Sequence, residues 1–97
     1  MNQEKTKDEI NTLIWDLAMT LYGAHRCLSP ASNYPSKLQK LERIMIDAHH
    51  QIVELGGKVL DKVDCLGLPV PAIYDLDGRL LPYDSATLKG NLILNNL

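Results

Sequence analysis

The chain has 97 residues and a net charge of −2, with 45% hydrophobic and 23% charged side chains. That length suits one domain, and that apolar fraction excludes intrinsic disorder, because enough surface can be buried to offset the ordering entropy. The basic residues stand among acidic ones, Lys5 and Lys7 beside Glu4, Asp8 and Glu9, and Lys58 and Lys62 beside Asp61 and Asp64. No clustered basic face marks a nucleic-acid binder.

Met1 is followed by the polar run Asn2, Gln3, Glu4 and Lys5, which is no signal peptide, and no stretch approaches the ~20 apolar residues of a membrane span. Two cysteines, Cys27 and Cys65, are too few for a disulfide scaffold. A reduced, cytoplasmic protein without membrane contact is expected. With no Phe and a single Trp, its core must come from Leu, Ile, Val, Met and Ala.

Thr6 and Glu9 have the T-x-x-E spacing of a capping box, in which two orphan backbone N–H groups are satisfied reciprocally. Apolar residues then recur at Ile10, Ile14, Leu17, Leu21, Ala24 and Leu28, in steps of four and three, and predict a helix over 7–28. The stretch 29–35, with Pro30 and Pro35, is a loop. Ser36 and Gln39 repeat the capping spacing, and Leu38, Leu41, Met45, Ala48, Ile52, Leu55 and Val59 form a second stripe. A second helix is expected over 37–63. Its phase survives Gly56-Gly57, so the pair is read as a kink or close crossing, with a break there as the alternative.

Residues 66–83 change character. Asp77-Gly78 lies between the apolar runs Ala72–Leu76 and Arg79–Tyr83, the pattern of a β-hairpin turn. The remaining segment, 85–97, reads as a short helix or a terminal strand. The fold class is therefore mainly α: an antiparallel two-helix hairpin with a small C-terminal β-hairpin or irregular segment. One such hairpin buries its stripes poorly, so completion of a bundle by homodimerisation or higher oligomerisation is expected.

Few residues carry a chemical signal. Asp47, His50 and Glu54 share one helical face at i, i+3 and i+7, as carboxylate and imidazole ligands of a divalent ion would. They also lie off the apolar stripe, as members of a solvated charged face do. Asp75-Leu76-Asp77-Gly78 resembles the D-x-D-G segment of haloacid-dehalogenase phosphatases over four residues only, without the large α/β domain that such a site requires. No Cys–His partnership, phosphate-binding loop or nucleophile elbow can be read from spacing, and neither enzymatic activity nor a cofactor is expected.

Trp15, Met19 and Tyr22 form an apolar flank beside the first stripe, either covered by the C-terminal segment or presented to a partner. On that basis the chain is expected to act as a regulatory or adaptor protein through protein–protein contacts, including contacts with itself. The alternatives are a binder of a small planar or anionic molecule, with Tyr34, Tyr74, Arg79 and Tyr83 in a pocket between subunits, and a metal-binding helical protein.

Overall fold

Thr6 begins the first helix as its sequence spacing requires. Its Oγ1 accepts the Glu9 N–H at 3.2 Å, and the Glu9 carboxylate reaches back to the Thr6 N–H at 3.5 Å. In the computed structural model, which describes residues 5–63, 67 and 69–97, this helix α1 spans Lys7–Arg26. Asp8 and Glu9 in its first turn and His25 and Arg26 in its last complement the helix dipole. Helix α2, Pro35–Glu54, returns antiparallel to it. The expected Ser36–Gln39 capping box does not form. Tyr34 is the N-cap, without a side-chain bond, and Pro35 opens the helix, because its fixed φ and missing N–H suit the first helical position.

The larger departure is at Gly56-Gly57, where the helix expected to run to Val63 stops. Leu55 is the C-cap and Gly56 has φ +96°, which favours glycine. The Gly56 N–H donates to Val53 C=O and the Gly57 N–H to Ile52 C=O, both at 3.0 Å, which is the Schellman pattern of helix termination. The chain then reverses as strand β1, Lys58–Val63, which pairs antiparallel with β2, Pro69–Tyr74, in the register Lys58↔Tyr74 to Val63↔Pro69. Thus the strand facing Ala72–Tyr74 precedes it in the chain. The Asp77-Gly78 turn is present, with Gly78 at φ +76°, but the segment after it adds only the single bridge Tyr74↔Leu80. Asp75 Oδ1 fixes the turn by accepting the Asp77 and Arg79 N–H groups at 2.9 and 3.0 Å.

The terminal segment is helical. A 3₁₀ turn, Tyr83–Ala86, leads into α3, Thr87–Asn95. Helix α3 packs on α1 where Gly23 meets Gly90; a Cβ at Gly23 would lie 3.0 Å from the Gly90 nitrogen. Ile14, Leu21, Tyr22, Ile52 and Ile73 form the main core, while Ala24, Cys27, Ala31 and Leu41 form a second cluster towards the α3 end. The described residues are mostly helical, with one two-stranded sheet. Among the described residues no helix is long and apolar enough to cross a membrane.

Candidate functional site

The reversal at Gly56-Gly57 returns the chain along the helix pair, so that β1 borders α2 while Ile73 of β2 bonds to α1. Two clefts result, and His25 and Pro69–Pro71 line both. The first, of about 600 Å³, lies between α2 and the sheet. Leu28, Leu38, Met45, Ile46, Val59 and Val70 make it apolar, and Glu42 and Asp61 are the carboxylates in its lining, which contains no Lys or Arg among the described residues. His25 and His49 complete its polar groups. The second, of about 730 Å³, lies between the end of α1, β2 and Leu80–Tyr83; Arg26, Lys62, His25 and the Tyr83 ring line it, with no Asp or Glu among the described residues.

The second cleft is bordered by a hydrogen-bonded cluster. Tyr22, 1% exposed, donates its hydroxyl proton to Leu81 C=O at 2.9 Å and accepts the Ile73 N–H at 2.8 Å. Burial pushes the Tyr22 hydroxyl pKa up. His25 lies between the Tyr83 hydroxyl, 2.7 Å from Nδ1, and Pro69 C=O, 3.2 Å from Nε2. Because the Pro69 carbonyl can only accept, Nε2 carries a proton, and Nδ1 is left to accept from Tyr83 when the ring is neutral. Tyr83 also packs against the Tyr22 ring at 5.2 Å, and the Arg26 guanidinium lies 5.2 Å from its centroid. A helix continuing to Val63 would have carried this segment away from His25; the reversal places Val63 and Pro69 on the cleft that His25 lines.

Of the residues singled out from sequence, Met19 and Tyr22 are buried, at 8% and 1% exposure, whereas Trp15 is 39% exposed. The flank expected to serve self-association is therefore largely covered by the chain's own C-terminal third. Tyr34 stands exposed under Lys37, whose ammonium lies 4.8 Å from the ring centroid, and Tyr74 lies under Lys62 at 5.5 Å. Arg79 pairs with Asp77 at 3.5 Å and lines a separate groove with Trp15. Tyr34, Tyr74, Arg79 and Tyr83 thus do not converge on one pocket within the chain. Asp47 pairs with Arg43 at 3.7 Å, and among the described residues no three His, Cys, Asp or Glu side chains come together as metal ligands. The metal reading of Asp47, His50 and Glu54 has no such cluster behind it.

Cys27 is buried and donates to Gly90 C=O at 3.1 Å, and burial raises its pKa, which keeps it a thiol. Cys65 lies outside the described residues. Near the other end of α1, Asn11 accepts the Leu76 N–H at 2.9 Å and donates to Asp77, which also pairs with Lys7. That ion pair raises the Lys7 pKa and lowers that of Asp77, each chiefly through their hydrogen bond. Sequence reasoning missed Glu42, Asp61 and His25 as cleft residues. The i, i+3 spacing of Tyr22 and His25 was visible, but nothing local announced the carbonyl and hydroxyl waiting for them near residues 69–83.

The described residues make a small, mostly helical protein in which a two-stranded sheet borders both an acid-rimmed and a cationic groove. No protein-family model, no curated protein and no solved structure matches the chain.

Proposed function

We propose that the chain is a non-enzymatic adaptor or regulatory protein that holds a segment of another protein in the groove between α2 and the sheet. The observation that carries this reading is the lining of that groove. Apolar side chains from both long helices, both strands and the turn after α1, Met45, Ile46, Val59 and Leu28 among them, form an open surface beside Glu42 and Asp61. Such a combination favours an apolar segment that brings its own cation, since the charges then pair at the rim while the apolar area is removed from water. Panning a displayed random peptide library on the protein tests it. Apolar peptides containing Lys or Arg should be enriched, and Ile46→Asp should weaken them roughly tenfold or more by placing a charge on the apolar wall. Ile46 is 44% exposed, so this variant keeps its fold. No enrichment, or peptides indifferent to Ile46→Asp, would contradict the reading.

A second reading is supported by the other cleft. Arg26, Lys62 and the Tyr83 ring suit a planar anion within a volume ordinary for small-molecule sites. Anilinonaphthalene sulfonate, a planar anionic fluorophore, should bind there and be lost on combined Arg26→Ala and Lys62→Ala substitution. Unchanged fluorescence in that variant removes the second reading.

A further inference from the structure

The backbone of β1 has a hydrogen-bonding side that the sheet does not use. Ile73 sends its N–H to Tyr22 and accepts the Leu81 N–H on its C=O, so both of its polar groups face away from β1. In an antiparallel ladder the residue opposite such a residue also points its N–H and C=O outward, and the pattern alternates along the strand. Val59 faces Ile73, Asp61 faces Pro71 and Val63 faces Pro69. The two prolines fit this phase, because their positions need no donor towards β1. Val59, Asp61 and Val63 therefore present their N–H and C=O groups on the outer edge, and among the described residues no hydrogen bond takes them up. Val59 and Asp61 also line the groove with Met45 and Ile46.

We infer that the partner segment docks as an added antiparallel strand on the outer edge of β1, with a Lys or Arg opposite Asp61 and an apolar residue two positions to either side. This rests on the adaptor reading and specifies its chemistry. The side chain opposite Asp61 shares its face of the sheet and enters the groove that Glu42 lines, so a cation there meets two carboxylates. Its neighbours at two positions fall on the same face, one opposite Val59 of the apolar wall and the other opposite Val63. A second copy of β1 is the wrong occupant. The hydrogen-bond phase leaves two antiparallel registers that pair five residues of β1 with their copies, and these set Lys58 against Lys62 or Asp61 against Asp61; like charges directly opposite one another destabilise a strand pair, and the other registers pair three residues or fewer.

The probes are the acetylated, amidated heptapeptides TVTKTVT and TITKTIT, their Glu-centred counterparts, and two N-methylated forms of each. Methylation of the two apolar residues' amides removes donors that face β1, whereas methylation of the Thr amides beside Lys alters only the outward side. The Lys peptides should bind, the Glu peptides and the first methylated forms roughly tenfold or more weakly, and the second methylated forms like the parent. Asp61→Lys, at an exposed position, should reverse the preference to the Glu peptides. Amide exchange at Val59, Asp61 and Val63 should slow in the complex. If both methylated forms bind alike, strand addition is overturned while the groove reading stands, provided Ile46→Asp still weakens binding. If none of these peptides binds, the inference falls, and the library selection alone decides the adaptor reading.

Discussion

The Tyr22 hydroxyl lies 2.8 Å from the Ile73 amide nitrogen, a bond between residues 51 positions apart that fastens the sheet to α1. The same oxygen donates to Leu81 C=O, so one buried hydroxyl holds two segments of the C-terminal third. Tyr22→Phe leaves the Ile73 N–H buried without a partner. A loss of about 1–3 kcal/mol is expected from urea denaturation, in the range for orphaning a buried donor. A change within the error of the measurement would mean that water replaces the hydroxyl.

Burial of Tyr22 also sets an alkaline limit on stability. Its folded pKa is raised above the ordinary 10.0, so its neutral form is favoured by folding. The corresponding stability is complete below pH 10.0 and is lost as pH rises through the higher folded value. Denaturation midpoints above pH 10.0 should therefore fall more steeply for the wild type than for Tyr22→Phe. Parallel curves would contradict the assignment. Cys27, raised from 9.0, contributes in the same direction in both proteins and cancels in the comparison.

Gly56 separates two accounts of the α2 terminus by the sign of one substitution. In a continuing helix, Gly→Ala stabilises by about 0.5–1 kcal/mol. At φ +96°, Ala is strained, and Gly56→Ala should instead destabilise by about 1–2 kcal/mol. Gly57→Ala should also destabilise, because its Cβ would come within 2.8 Å of Ile52 Cγ2 and 3.0 Å of Tyr74 O. Thermal melts of the two variants are enough, and a rise in either midpoint would count against the turn.

Gly23 and Gly90 allow α1 and α3 to approach until Cys27 reaches the Gly90 carbonyl. Gly23→Ala forces backbone apart, at about 1–3 kcal/mol for overpacking. In a Cys65→Ser background, Cys27 should react slowly with a thiol reagent, and Gly23→Ala should accelerate it. Equal rates would mean that α3 does not guard the thiol.

Much of the architecture could be read from the sequence because its cues were local. The Thr6–Glu9 cap, the α1 stripe and the Asp77-Gly78 turn depend on neighbours within a few residues. The last third of the α2 prediction failed for a definite reason. Val59 and Val63 are four apart, a spacing shared by one helix face and by one face of a strand, so the stripe crossed Gly56-Gly57 without revealing the change of period. Met19 and Tyr22 were equally ambiguous, since their cover comes from Ile73 and the 3₁₀ segment, far along the chain. The acid-rimmed groove was not legible at all. Glu42 and Asp61 meet there only because the chain reverses between them.

That groove is the central claim, and chemical-shift mapping tests it most directly. Isotope-labelled protein titrated with a peptide selected by panning should show its largest changes at Met45, Ile46, His49, Val59 and Val70, the residues that line the cleft between α2 and the sheet. Changes concentrated instead around Trp15 and Leu80, or on the exposed Leu88 and Leu92 of α3, would contradict it.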